Sequence, residues 1–159
     1  TGAFTVNIGL VIEGAPVMGI VLAPAHDRLF CGLDGDGASE ITAGKACDIA
    51  IRPVPGSGPV AVASRSHSDK ETDNWLTAHA IAEIISTGSS MKFCLVAAGE
   101  ADVYPRFGPT MEWDTAAGDA VLRAAGGRMI TPDGAPYLYG KPDYRSTAFI
   151  ACGGFMPAN

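Results

Sequence analysis

One stretch of the sequence, residues 112–127, combines an aspartate at a predicted helix start with a face of small apolar side chains. Alanine is the best helix former, and the apolar residues recur at helical spacing: Ala116, Ala117, Ala120, Val121, Ala124 and Ala125. Thr115, Asp119 and Arg123 lie on the other side, and the Gly126-Gly127 pair ends the helix. Because small side chains allow close packing, we expect Asp114 to be rigidly held, either as a metal ligand or as an N-cap. Taken alone, Asp114 suits the N-cap role, which aspartate often fills.

Three more polar clusters follow predicted strands, at residues 64–67, 88–92 and 104–106. In α/β sheets, ligands bind at the carboxyl ends of strands. Gly88-Ser89-Ser90 precedes a helix, where free N–H groups and the helix dipole favour an anion, and Lys92 adds a cation. Arg106 offers a planar fork that suits phosphate. The alternatives are a capping serine, a surface histidine at 67 and solvated charges at 92 and 106.

The first third of the chain has the pattern of an antiparallel meander. Apolar alternation predicts a strand at 4–12, an apolar strand is expected at 17–22 and a third strand at 27–33, and the sequence Asp34-Gly35-Asp36-Gly37 predicts a turn. A calcium loop is rejected because Ala38 and Ser39 stand where it needs an oxygen ligand and a glycine. A short edge strand is expected at 48–51. The proline- and glycine-rich residues 53–59 then interrupt regular structure.

After this interruption the pattern changes to alternating strands and helices. Strands are predicted at 60–63, 81–85, 101–104, 128–131 and 147–151, and helices at 69–79, at 91–98 and from 114 onward. The fold class is therefore α/β. We predict a partial antiparallel sheet at 1–52, a linker at 53–59 and an α/β subdomain at 60–159.

Composition limits the class of function. The 159 residues are 47% apolar and carry a net charge of −6, which argues against a broad nucleic-acid-binding surface. No apolar run reaches the ~18 residues that span a bilayer. The four cysteines are widely spaced and are read as reduced thiols, Cys31, Cys47, Cys94 and Cys152.

Five strings together resemble the inositol monophosphatase family of magnesium-dependent, lithium-sensitive phosphatases. They are F-T-V-N-I at 4–8, S-R-S-H at 64–67, G-S-S-M-K-F-C-L-V-A at 88–97, Y-P-R-F-G-P-T at 104–110 and W-D-T-A-A-G at 113–118. The similarity covers essentially the whole chain. It implies a layered α/β sandwich and points to the branch that removes the 3′-phosphate from adenosine 3′,5′-bisphosphate.

The resemblance also implies roles for individual residues. Asp114 matches a catalytic Mg²⁺ ligand that also contacts substrate, and Li⁺ is expected to inhibit. Four residues are expected around the nucleotide and its phosphates, with two further candidates beside them: His67, Ser89, Lys92 and Arg106, then Ser90 and Tyr104. The expected location is the cytoplasm, with at most a peripheral contact at the inner membrane.

Two family motifs are absent from the sequence, a Glu-Glu pair and D-P-x-D-G-T, which supply the other metal ligands. We therefore expect this chain to be the C-terminal portion of such an enzyme and to be inert alone. One alternative keeps the phosphatase but changes the substrate to inositol monophosphate or fructose 1,6-bisphosphate. Another is an inert nucleotide-binding fragment, or a homodimer joined through an exposed strand edge.

Overall fold

The computed structural model describes residues 4–64 and 69–157, which form two five-stranded sheets with helices packed between and beside them. The first sheet is an antiparallel meander in chain order: β1 (Val6–Ile12), β2 (Ala15–Ala23), β3 (Arg28–Leu33), β4 (Gly37–Thr42) and β5 (Lys45–Ile49). The predicted meander is confirmed. The predicted edge strand at 48–51 begins earlier, at Lys45, and ends at Ile49.

The second half of the chain alternates strands with helices. Its elements are β6 (Val60–Ala63), α1 (Lys70–Ala78), β7 (Glu83–Ser86), α2 (Met91–Ala97), β8 (Val103–Arg106), β9 (Thr110–Met111), α3 (Glu112–Ala124), β10 (Arg128–Ile130), β11 (Arg145–Ser146) and β12 (Phe149–Cys152). The second sheet has the order β10-β12-β8-β6-β7, in which β6 runs parallel to β7 and β8. Strands β9 and β11 form a small separate pair. The α/β fold class is confirmed.

One apolar core joins the two sheets through α2 and α3. It includes Phe30 of β3, Phe93 of α2, Val62 of β6 and Phe149 of β12. Among the described residues, no helix is both long enough and apolar enough to cross a membrane. All four cysteines are unpaired thiols.

Helix α3 lies directly against the backbone of the first sheet. Glycines in β1, β2 and β3 face it, and a Cβ atom at Gly19 would lie 2.1 Å from the carbonyl oxygen of Ala117. A Cβ atom at Gly32 would lie 2.6 Å from the Cα atom of Val121. The small apolar face predicted for this helix therefore meets strands that have no side chain at the contact.

The opposite side of α3 is also buried, which corrects the simple amphipathic interpretation. Thr115 and Asp119 are 2% and 0% exposed. Arg123 donates to the Asp119 carboxylate at 2.9 Å and to the carbonyl of Tyr137 at 3.0 Å. Burial raises the pKa of Asp119, and the Arg123 guanidinium opposes that rise. The polar side of α3 packs against the 137–141 segment because its charges find partners there.

Strand β4 was not predicted, and its inner side chains explain why. Glu40 points inward beside Arg28 of β3, whose guanidinium donates to both carboxylate oxygens, at 2.5 and 2.9 Å. Glu100 accepts from the same guanidinium. This hydrogen-bonded cluster lets two charged residues occupy an inward position that apolar alternation assigns to hydrophobic side chains.

The outer face of β1 is apolar and exposed. Val6, Ile8, Leu10 and Ile12 are each about half accessible, between 48% and 56%. Within the described residues, β1 pairs only with β2 and is an edge strand of the first sheet. The self-association expected from such an edge stays a prediction.

An ion pair connects the segment after β5 to the second sheet. The Asp102 carboxylate is fully buried and accepts from the Arg52 guanidinium at 3.0 and 3.1 Å. It also accepts from the backbone N–H of Val60 at 2.7 Å. Asp102 thereby fixes the start of β6 next to β8. The division of the chain at 53–59 stays a prediction.

Candidate functional site

The first turns of α2 and α3 meet at a hydrogen bond between their ends. Ser90 precedes α2, makes no capping bond with its side chain, and instead donates its hydroxyl to the carbonyl of Asp114 at 3.0 Å. The capping alternative for Ser90 is therefore wrong. The contact sets the Gly88–Ser90 turn beside the start of α3, so two of the predicted polar clusters do converge.

Asp114 is the third residue of α3 and not its first. The helix begins at Glu112, and Met111 is the extended N-cap residue. The carboxylate of Asp114 is exposed and accepts from the Thr110 hydroxyl at 3.1 Å. A carboxylate in the first turn suits the positive end of the helix dipole. Asp114 therefore does not cap its own helix, and its carboxylate faces solvent at the edge of the site.

Lys92, which was predicted to add a cation at the anion site, is buried, so the alternative of a solvated charge at this position is wrong. The residue is 3% exposed, and its ammonium donates to the Ser89 carbonyl at 2.7 Å. The same ammonium lies 5.2 Å from the centre of the Tyr104 ring, a distance that allows a cation–π contact. Burial, together with repulsion from Arg106, lowers the pKa of Lys92 to about 8.

Tyr104 and Arg106 lie within β8, which ends at Arg106. The Arg106 guanidinium donates to the Tyr104 hydroxyl at 3.4 Å and to the carbonyls of Gly108 and Pro109 at 3.3 and 2.7 Å. Burial raises the pKa of Tyr104, and the Arg106 charge opposes it. The loop after β8 thus orients the guanidinium, and the buried Lys92 ammonium lies over the ring of the same Tyr104.

A cavity of about 260 Å³ opens at the carboxyl ends of β6 and β8. Its lining includes Ser64, Asp69, Thr72, Tyr104, Arg106 and Gly108. Asp69 caps α1 through the N–H of Thr72 at 2.8 Å and also accepts from the N–H of Gly108 at 3.0 Å. Burial alone would raise the pKa of Asp69, but these hydrogen bonds lower it. Asp69 therefore ties the start of α1 to the loop after Arg106 at this cavity.

Five of the candidate residues besides Asp114 are thus linked in space: Ser89, Ser90, Lys92, Tyr104 and Arg106. The predicted His67 lies outside the described residues. Sequence reasoning missed Thr110, which contacts Asp114, and Thr5, whose hydroxyl oxygen contacts that of Ser89. Thr5 belongs to the string at 4–8 and Thr110 ends the string at 104–110, so these two strings were the available signals.

The described residues do not form a complete metal site. Within the described residues, 4–64 and 69–157, no three His, Cys, Asp or Glu side chains lie close enough together to hold a metal ion. Mg²⁺ is commonly bound by one or two carboxylates with waters and substrate phosphates, at about six oxygens in all. The exposed Asp114 carboxylate fits as one such ligand, and its role as a metal ligand stays a prediction.

Known proteins share this arrangement of sheets and helices. The family model described as "Inositol monophosphatase family" matches residues 1–153. The 3′(2′),5′-bisphosphate nucleotidase CysQ of Escherichia coli K12 is 44% identical over 138 residues, which are 87% of this chain and 55% of that protein. The chain therefore spans about half the length of the curated relative.

Solved structures are also similar to this chain over most of its length. The crystal structure of CysQ from Bacteroides thetaiotaomicron, a bacterial member of the inositol monophosphatase family, superposes with a TM-score of 0.86 at 38% identity, over 96% of this chain and 63% of that one. Inositol monophosphatase from Anabaena (Nostoc) sp. PCC 7120 has a TM-score of 0.74 at 28% identity, over 94% of this chain and 59% of that one. Both likenesses extend through the two sheets and the helices between them.

Proposed function

Because the chain belongs to the inositol monophosphatase family, we propose that it is the nucleotide-recognition portion of a phosphatase that removes the 3′-phosphate from adenosine 3′,5′-bisphosphate. The substrate comes from the CysQ relatives, and its class is a small phosphorylated nucleotide. The intact enzyme would be a phosphoric monoester hydrolase. Since this chain spans 55% of the E. coli relative, we infer that it is inactive alone.

One observation carries this proposal: in an acidic protein, two cations contact the same tyrosine, Lys92 from the first turn of α2 and Arg106 from the end of β8. The net charge of the chain is −6, yet Lys92 and Arg106 are near enough for the charge of Arg106 to lower the pKa of Lys92. Keeping a lysine buried next to an arginine is unfavourable without an anion. A phosphate ester with two negative charges would relieve this repulsion.

The proposed roles follow from the chemistry of each group. Arg106 would bind a phosphate through its planar fork, Lys92 would supply a second charge, and Ser89 would donate a hydroxyl hydrogen. Ser90 orients the turn by its bond to α3, and the Tyr104 ring supports the Lys92 ammonium. We assign His67 to the nucleotide side of the site on the family resemblance alone.

Among the described residues, Asp114 is proposed as a metal ligand. A bound Mg²⁺ lowers the pKa of an attacking water and neutralises charge on phosphate oxygens. The chain's own part is to present the Asp114 carboxylate from the first turn of α3, steadied by the Thr110 hydroxyl. Inhibition by Li⁺ and a cytoplasmic location belong to the same proposal.

Phosphate release and ligand binding test the proposal together. The intact mass of the protein sample is measured first, because it distinguishes the 16.3 kDa chain from a longer protein. Phosphate release with Mg²⁺ is then measured on adenosine 3′,5′-bisphosphate, inositol 1-phosphate and fructose 1,6-bisphosphate, and nucleotide binding by calorimetry. We expect the 16.3 kDa chain to bind the nucleotide without releasing phosphate. A full-length protein should hydrolyse the nucleotide bisphosphate first among the three substrates and should lose activity with chelator.

The substitution Asp114→Asn in the full-length protein should reduce turnover by a factor of about 100 or more, because a neutral amide is a poor Mg²⁺ ligand. Glu71→Asn, at an exposed position of α1, is the matched control and should leave turnover unchanged. Near-normal turnover of Asp114→Asn would remove Asp114 from the metal site. Preference for inositol 1-phosphate would overturn the proposed substrate.

A further inference from the structure

We propose that Thr5 and Asn7 are positioning residues that set the direction of the Ser89 hydroxyl, so that it donates its hydrogen to a phosphate oxygen of the ligand. The inference rests on the proposed function, which gives Ser89 its ligand. It assigns a role in phosphate recognition to β1 and the residue before it, on the other sheet from the Arg106 strand.

The contact runs between two distant parts of the chain. The Thr5 hydroxyl oxygen lies in hydrogen-bond contact with that of Ser89, and the Asn7 amide nitrogen donates to the Thr5 oxygen at 3.3 Å. Asn7 is on the inner side of β1, and its amide oxygen is buried with no hydrogen-bond partner among the described residues. The three side chains therefore form one line that begins under the sheet and ends at the turn before α2.

The hydrogens on each group support one order of donation, from Asn7 to Thr5 and from Thr5 to Ser89. An amide NH₂ group can only donate, so the Thr5 oxygen is an acceptor toward Asn7. A hydroxyl has one hydrogen, and we assign that of Thr5 to the Ser89 oxygen. The Ser89 oxygen is in this way used as an acceptor, and its own hydrogen is left to point outward. A phosphate oxygen, which only accepts, is the matching partner for that hydrogen.

The backbone of Ser89 is held separately from its side chain. Its φ angle is +55°, a left-handed conformation that is uncommon for a residue with a side chain. The Lys92 ammonium binds its carbonyl oxygen at 2.7 Å. Such conformations cost free energy and are concentrated at functional sites. Lys92 holds the main chain of Ser89 in place. The Thr5 contact then controls the rotation of the Ser89 hydroxyl group.

A calorimetric double-mutant cycle between Thr5 and Ser89 tests the proposal, with adenosine 3′,5′-bisphosphate as the probe. Thr5→Val removes the hydroxyl at constant shape and should weaken binding about tenfold, the value of one hydrogen bond to a charged group. Ser89→Ala should weaken binding at least as much. In the Ser89→Ala background, Thr5→Val should then have no further effect, because the hydroxyl that it orients is gone.

Two more variants separate orientation from simple packing. Thr5→Ser keeps the hydroxyl and should bind within about twofold of the wild type. Asn7→Asp presents a carboxylate that only accepts, so it reverses the hydrogen order and should weaken binding about tenfold. Thermal unfolding of each variant identifies any that has lost its fold, and the conservative Thr5→Ser variant remains informative in that case.

The outcomes distinguish this inference from the proposed function. If the wild type binds the nucleotide and Ser89→Ala weakens it, but Thr5→Val does not, only the positioning role is wrong. The positioning role is also wrong if Thr5→Val weakens binding equally in the Ser89→Ala background. If the wild-type chain does not bind the nucleotide at all, the proposed function fails and this inference fails with it.

Discussion

Replacing the buried Lys92 by methionine should change how the stability of the protein depends on pH. The residue is 3% exposed, and its pKa is lowered to about 8 from the usual 10.5, first by burial and then by repulsion from Arg106. That lowering corresponds to about 3 kcal/mol. The folded chain therefore carries a cost of about 3 kcal/mol at pH 7 for keeping this lysine charged.

The direction in which stability changes with pH follows from the number of protons that the folded and unfolded chains bind. Between about pH 8 and pH 10.5 the unfolded chain holds the Lys92 proton and the folded chain does not. Stability of the wild type consequently rises with pH across this window. Lys92→Met has no proton to lose, so its stability relative to the wild type should fall by about 3 kcal/mol from pH 7 to pH 11.

At pH 7 the gain in unfolding free energy of Lys92→Met over the wild type should be smaller than the cost of the buried charge alone. Methionine removes the buried charge but leaves the Ser89 carbonyl without its donor, a loss of about 1–3 kcal/mol. The variant should therefore range from equal to the wild type to about 2 kcal/mol more stable at pH 7. Above the window it should be clearly less stable than the wild type. Below about pH 8, where Lys92 is charged, it should also bind adenosine 3′,5′-bisphosphate more weakly, because a phosphate ligand loses a cation.

Urea unfolding followed by circular dichroism at several pH values gives these free energies. Other titrating groups contribute equally to both proteins and cancel in the difference. Lys45→Met, at an exposed position of β5, is the matched control, because it makes the same substitution where the side chain reaches solvent. A difference for Lys92→Met that stays constant to within about 0.5 kcal/mol across the window would refute the reasoning.

Two further substitutions test the packing that positions the site. Gly19→Ala should destabilise the fold by about 3 kcal/mol or more, because its methyl group would overlap the backbone of α3. Gly56→Ala, which faces open space, should stay within about 0.5 kcal/mol of the wild type, and equal denaturation midpoints for the two would contradict the close contact. Asp102→Asn should cost about 2 kcal/mol or more, because it leaves the Arg52 charge unpaired and weakens the bond to β6. Asp48→Asn, on the exposed side of β5, serves as its control, and chemical denaturation that finds the two alike would exclude a role for the buried pair.

Much of the fold could be predicted from local patterns. Apolar patterning identified β1 to β3 because one face of each strand is consistently apolar, and the resemblance to the inositol monophosphatase family is confirmed. Strand β4 escaped prediction because its inward Glu40 needs Arg28 on the neighbouring strand. Buried Asp119 escaped for the same reason, since its partner Arg123 and the 137–141 segment become visible only in three dimensions.

The sequence supplied candidate residues for the site but could not supply the contacts between them. The strings drew attention to Ser90, Lys92 and Arg106, which are linked to Asp114 or Tyr104 in space. Periodicity could not show that Lys92 turns back to the Ser89 carbonyl and is buried. Nor could it pair Thr5 with Ser89, because hydrogen bonds between distant segments leave no regular spacing in a sequence. The residue roles themselves stay predictions.

The close contact between α3 and the glycines of the first sheet has a consequence for how the protein is made. The two partners are roughly a hundred positions apart in the chain, and such non-local contacts form late in folding. Ribosomes add about 5–20 residues per second, so the roughly sixty residues between β5 and α3 take on the order of 3–12 seconds to synthesise. During that interval the sheet has left the ribosome with its glycine-lined side uncovered. Newly made chains are therefore most open to chaperones, and to mispairing with one another, before α3 emerges.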